Sequence, residues 1–179
     1  MEELSLHILD IAENSITAGA KNIEIKITEN KETDLLKIEI IDDGKGMSTE
    51  AVKKAIDPFF TSRTTRRVGM GLSLLSQAAK MTNGTMDIQS TTGKGTHVSA
   101  TFQLSHIDRQ PLGNMAETIT ALIASNPIID VIYEHKRNGT KFVFNTREIK
   151  EKLTGVNINT GSVLSFVKQF ITENTESLS

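Results

Sequence analysis

A run of alternating residues, Ile38-Glu39-Ile40-Ile41, leads into Asp42-Asp43-Gly44-Lys45-Gly46-Met47. A carboxylate at the end of a strand, followed by glycines in alternate positions, lets the backbone turn sharply beside a flat ligand. Because it only accepts hydrogen bonds, such a carboxylate suits an exocyclic amine like that of adenine. A turn that uses Asp and Gly for conformational reasons alone would contain the same residues. Further along, Asp57-Pro58-Phe59-Phe60-Thr61-Ser62-Arg63 and Thr64 to Val68 precede Gly69-Met70-Gly71-Leu72. Glycines just before a helix let backbone amides approach phosphate oxygens, and the helix dipole favours the negative charge. Arg63, Arg66 and Arg67 would add charge-assisted bonds. The competing readings are glycines that merely permit close packing and a solvated basic loop.

A third constellation lies near the start. At about 100° per residue, His7, Asp10 and Asn14 share one arc of a helix. An amide oxygen beside a carboxylate suits Mg²⁺, which takes few protein ligands and completes its shell with phosphates and water. A solvated polar helix face is the alternative. His7 reads as a flanking polar residue, and His97, His106 and His135 show no metal-ligand spacing.

These residues need elements to hold them. Leu4, Ile8, Ile11, Ala12 and Ile16 predict a helix over residues 4 to 18, and helices are expected over 49 to 56 and 70 to 81. Asn22 to Ile27 and Leu35 to Ile41 predict two strands, with Ile23, Ile25 and Ile27 on one side of the first and Leu36, Ile38 and Ile40 on one side of the second. Met86 and Ile88 alternate in a third, and Val98, Ala100, Phe102 and Leu104 in a fourth. Strands with one apolar and one wet face form a sheet covered by helices on one side only, which excludes a doubly wound fold. The expected class is α+β, a two-layer α/β sandwich with a mixed sheet.

After Leu104 the pattern restarts. Met115, Ile119, Leu122 and Ile123 predict a helix ended by Asn126-Pro127. Asn138-Gly139 predicts a tight hairpin between Ile129 to Lys136 and Lys141 to Asn145, with Tyr133 opposite Phe144 and His135 opposite Phe142. Asn145 and Glu148 suggest a capping box for a short helix ending near Gly155. Ser162 would open a last amphipathic helix, with a polar tail fraying after Asn174. Residues 106–179 are either a small α/β module or an extension of the main sheet, and extension is favoured because residues 1–105 alone leave a strand edge unprotected.

The chain has 179 residues, 20 basic and 22 acidic groups and a net charge of −2. Both signs are spread through both parts, which argues against a general grip on nucleic acid or anionic membrane. The absence of cysteine removes disulfides, thiolate zinc sites and a cysteine nucleophile. With neither a span-length apolar run nor a signal-like start, a cytoplasmic location is the expectation.

Taken in order, Glu13-Asn14-Ser15 with Ala18-Gly19-Ala20, then DDGKGM, DPFFTSR, GMGL and Gly93-Lys94-Gly95-Thr96 resemble the motifs of the GHKL ATPase superfamily. This is the Bergerat fold of gyrase, mismatch-repair ATPases, histidine kinases and anti-sigma-factor serine kinases. The likeness covers roughly residues 4 to 104. It implies ATP and Mg²⁺ as cofactors. It also implies that Asn14 holds Mg²⁺ and that Asp42 bonds the adenine amino group, with Thr96 supporting that bond through water. Gly44, Gly46 and Met47 would line the base, and Gly69, Met70, Gly71 and Leu72 would offer amides to phosphates. Thr61 to Val68 would be an ATP lid, with Phe60 and Arg63 also contacting nucleotide. Asp10 stands where the ATPase branches carry a water-activating glutamate, one methylene shorter here.

The expected branch is that of the anti-sigma serine kinases and histidine-kinase-type ATPases, because the chain opens at its first motif, with no dimerisation helices or phosphorylatable histidine before it. The expected function is a cytoplasmic Mg-ATP-binding regulatory protein that phosphorylates a separate protein on serine or histidine. Alternatives are a nucleotide-gated protein-binding switch and a slow ATPase. Expected partners are ATP or ADP and a protein or phosphoacceptor, with a homodimer possible and neither nucleic acid nor membrane involved.

Overall fold

In the computed structural model, which describes residues 2–57 and 70–179, the order of elements follows from two periodicities. Helical spacing of Leu4, Ile8, Ile11 and Ala12 gives α1 (Leu4–Thr17), whose apolar stripe is buried. Period-two alternation gives β1 (Asn22–Asn30) and β2 (Leu35–Asp42), with Ile23, Ile25, Ile27, Leu36, Ile38 and Ile40 facing the core. Ser48 caps α2 (Thr49–Ile56) by accepting the Ala51 N–H at 3.2 Å. No residue of α2 is buried, so it stays peripheral. Next come α3 (Met70–Met81), β3 (Met86–Thr91) and β4 (Gly95–Gln103).

The remaining elements are α4 (Met115–Ser125), β5 (Asp130–Arg137), β6 (Thr140–Asn145), α5 (Thr146–Lys152) and α6 (Gly161–Glu176). Asn138 and Gly139 both have positive φ, +50° and +93°, which a type I′ hairpin turn requires. The resulting register sets Tyr133 opposite Phe144 and His135 opposite Phe142, as the turn chemistry predicts.

The six strands among the described residues form one mixed sheet in the order β3-β4-β2-β1-β5-β6. Four neighbouring pairs are antiparallel, while β5 runs parallel to β1 and is bonded to its otherwise free edge. Helices α1, α3, α4 and α6 cover one face, where a single apolar cluster runs from Leu72 and Phe102 to Phe144 and Ile171. The architecture is a two-layer α+β sandwich.

Four local expectations change. His7 is buried and meets Gln110 at 3.1 Å, because the segment from residue 106 to 114 crosses the start of α1. β1 runs on past Ile27, since Thr28, Glu29 and Asn30 still pair with Lys37, Leu36 and Leu35. The last helix begins at Gly161, one residue before Ser162, with Thr160 at its N-cap. Its tail does not fray after Asn174: the helix continues to Glu176, and the Arg137 guanidinium donates to the Thr175 and Leu178 carbonyls.

That guanidinium belongs to a buried polar chain. The Tyr133 hydroxyl meets His135 Nδ1 at 2.8 Å, and His135 Nε2 meets Glu29 at 2.7 Å. Arg137 donates to the same Glu29 oxygen at 2.9 Å. Burial pushes the Glu29 carboxyl up, but the hydrogen bonds and positive charge from His135 and Arg137 outweigh it and bring the pKa down to about 2.

Candidate functional site

Between the C-terminal half of α1, the end of β2 and the start of β4 lies a half-open cavity of about 260 Å³. Asn14 and Ser15 face it from α1 and Ala18 from the residue that caps its end, Asp42 from the end of β2, and Gly46 and Met47 from the turn that follows. Leu72 of α3 and Thr96 and Val98 of β4 close it, so most of its wall is apolar and its few polar groups converge.

Asp42 is held by both oxygens. Oδ2 accepts from the Ser15 hydroxyl at 2.6 Å, and Oδ1 accepts from the Gly44 N–H at 2.8 Å. A carboxylate has about four acceptor positions, so two bonds orient it and leave capacity for a donor in the cavity. Asp43, its neighbour in sequence, turns away. Its Oδ1 takes the Lys21 and Asn22 N–H groups at 2.8 and 2.9 Å, tying the start of β1 to the end of β2.

The glycine turn is fixed by close approach. Gly46 has φ +72°, and a Cβ there would lie 2.1 Å from the Thr91 carbonyl oxygen. Met47 N–H donates to Ser90 Oγ at 2.7 Å, and Ser90 Oγ lies 2.8 Å from Thr96 Oγ1. The β3–β4 hairpin therefore clamps the turn that lines the cavity.

On the other side, α3 begins at Met70, and the Gly71 N–H donates to the Asp10 carboxylate. A Cβ on Gly71 would stand 2.7 Å from Asp10 Oδ2, so a side chain there would push that carboxylate aside. Burial raises the Asp10 pKa, and the Gly71 hydrogen bond and His7 only partly oppose it.

The structure thus brings Asn14, Asp42, Gly46, Met47, Leu72 and Thr96 around one cavity. Gly44 supports Asp42 from behind, and Asp10 and Gly71 meet beside the cavity without lining it. Met70 is 38% exposed at the head of α3. Phe60, Arg63 and Gly69 lie outside the described residues, as does the segment from Thr61 to Val68. Sequence reasoning missed Ser15 and Ser90 as positioning groups. Ser15 is a hydroxyl on the buried side of α1, and Ser90 stands opposite Thr96 in the hairpin register. Those were the available signals.

Among the described residues, no cluster of three or more His, Cys, Asp or Glu is arranged to hold a metal ion. No helix there is long and apolar enough to cross a membrane.

Residues 2–106 match the family described as histidine kinase-, DNA gyrase B-, and HSP90-like ATPase. The chain is 30% identical over 112 residues to the non-motile and phage-resistance protein of Caulobacter vibrioides, covering 58% of this chain and 13% of that protein. It is 29% identical over 104 residues to the sensor histidine kinase YxdK of Bacillus subtilis, covering 55% of this chain and 32% of that protein. Over 63 residues it is 44% identical to the DNA mismatch repair protein MutL of Clostridium perfringens, covering 35% and 9%. The chain therefore spans less than a third of the length of any of these three relatives.

Proposed function

Because the chain belongs to the histidine kinase-, DNA gyrase B-, and HSP90-like ATPase family, we propose that it is a cytoplasmic, Mg-ATP-dependent regulatory kinase acting on a serine or histidine of a separate protein. Family membership carries nucleotide binding. The observation that supports adenine in this cavity is the doubly anchored Asp42 carboxylate, aimed among apolar walls with acceptor capacity to spare. Thr96, joined to Ser90, is placed to support the same ligand edge.

The donor set fits Mg²⁺ bound together with phosphates. Asn14 offers one amide oxygen at the cavity, and with no carboxylate cluster among the described residues, phosphates and water would complete the shell. When bound, Mg²⁺ would neutralise phosphate charge and orient the terminal phosphoryl group. Asp10 supplies the proton acceptor. In the transfer, the acceptor oxygen or nitrogen bonds to the terminal phosphorus while the bond to the bridging oxygen breaks. ADP leaves, and the Asp10 carboxylate takes the proton of the serine hydroxyl or, for a histidine acceptor, the proton on the ring nitrogen that does not attack. A raised pKa makes that carboxylate a stronger base than an ordinary aspartate.

The test is incubation of the full chain with terminally labelled ATP and a partner captured in the presence of nucleotide. Transfer of label is the expected result, and a partner that never takes label removes the kinase reading. A second reading, a nucleotide-gated binding switch, draws on the place of Asp10 beside Gly71 and outside the cavity lining. Asp10→Asn separates the two, since the amide oxygen can still accept the Gly71 N–H but cannot take a proton. A kinase or ATPase is expected to lose at least 100-fold in turnover with ATP affinity retained. A pure switch keeps its response to the partner.

A further inference from the structure

The face of the sheet opposite the helices carries its charge in rows. Through the strand register, Asp87, Ser99, Glu39, Lys26, Glu134 and Val143 lie side by side across all six strands. Three carboxylates stand in this row against one lysine. The next row contains Thr101, Lys37, Thr28, Lys136 and Lys141, with three lysines and no carboxylate. Among the described residues no helix covers these two rows, and α5 sits at the end of β5, where Arg147 and Lys150 reach Asp130.

Ion pairs within the face use only part of this charge. Lys26 meets Glu24 at 3.4 Å, Lys37 meets Glu39 at 3.7 Å, Lys141 meets Glu134 at 3.4 Å, and His97 meets Glu39 at 3.1 Å. Lys136 is exposed and makes no ion pair among the described residues.

We propose that this open face binds a second copy of the chain, through a twofold axis that runs across the strands between the acidic and the basic row. A twofold interface must be self-complementary, so each row has to meet its opposite. Rotation about this axis keeps each strand over its own counterpart and exchanges the two rows. Glu39 of one copy then faces Lys37 of the other, and Glu134 faces Lys136, each pair occurring twice. Val143 meets the methylene stem of Lys141. A partner of one uniform sign would meet like charge along one of the rows, which favours a second copy over a generally acidic or basic protein.

Six strands about 4.8 Å apart and about four residue rows of about 3.3 Å give a face of roughly 400 Å² per copy. Stable complexes bury about 800 Å² per partner. The dimer is therefore expected to be weak, with a dissociation constant in the micromolar range, and to loosen with salt because its pairs lie near solvent. This inference does not depend on what occupies the nucleotide cavity.

Sedimentation equilibrium of the full chain at low and at high salt tests it. Expected is a concentration-dependent dimer that weakens at high salt. Glu134→Lys should weaken it at least 10-fold, and Glu134→Lys combined with Lys136→Glu should recover most of that loss. Thermal melting checks that each variant folds. On the unaltered chain, carbodiimide crosslinking of mixed light- and heavy-isotope-labelled copies should yield Glu39–Lys37 or Glu134–Lys136 peptides carrying both labels. A chain that stays monomeric at every concentration overturns the proposal. So does a dimer indifferent to Glu134→Lys, a double variant no better than the single one, or mixed-label crosslinks confined to other faces.

Discussion

Asp42 and Asp43 are adjacent and chemically identical, yet only one reaches the cavity. The strand end turns Asp42 toward Ser15 and Gly44, while Asp43 ties β1 to β2. In Asp42→Asn the amide can still serve both anchors, its oxygen to Gly44 and its NH₂ to the Ser15 oxygen, so the fold should survive. The cavity, however, loses a charged acceptor, worth about 1.5–3 kcal/mol. ATP affinity should fall by roughly 10- to 100-fold with little change in melting temperature, as calorimetric titration and a thermal scan would read. Glu29 makes a second prediction, with its sign set by a lowered pKa. Its contribution to stability is complete above its ordinary value of 4.5 and is lost as pH falls toward about 2. The amount is on the order of 2–3 kcal/mol. Acid unfolding of the wild type should steepen across that window, and Glu29→Gln should flatten it while lowering stability at neutral pH.

Elements explain why some of this could be read in advance and some could not. Alternation in β1 and β2 and the stripe of α1 were legible because burial imposes period two or period 3.6 directly on residue type. Asp42, Gly46 and Thr96 were singled out by motifs that stand in order along the chain, and the structure brings all three to one cavity. The roles of Ser15 and Ser90 were not, since a serine beside a strand end or in a hairpin takes its meaning from a partner 27 or 43 residues away. His7 was misjudged for the same reason: Gln110, 103 residues on, removes it from water. Two glycines make the positional point testable. Gly46 and Gly93 both have positive φ, but a Cβ at Gly46 would strike the Thr91 carbonyl at 2.1 Å, whereas at Gly93 it meets nothing within 4 Å. Gly93→Ala should cost only about 1–2 kcal/mol for the left-handed backbone. Gly46→Ala should cost clearly more and also weaken nucleotide binding, as melting and titration would show.

At the scale of the whole molecule, the segment after residue 105 shares the main core. Met115, Ile119, Leu122, Val131, Tyr133, Phe142, Phe144, Val167 and Ile171 are all buried in the same cluster. Each such side chain contributes about 1.5–3 kcal/mol on burial. Without them α1 loses the packing of α4 and the β1 edge loses its β5 partner. A truncated chain of residues 1–105 is therefore expected to aggregate or stay unfolded, which light scattering and circular dichroism would detect. The parallel pairing of β1 with β5 also dictates a timetable. Glu29 and His135 meet across 106 residues, so during synthesis β1 leaves the ribosome long before its second neighbour exists. The nascent chain must carry that bare edge until β5 has emerged, and such long-range closure slows folding and leaves the edge open to aggregation meanwhile.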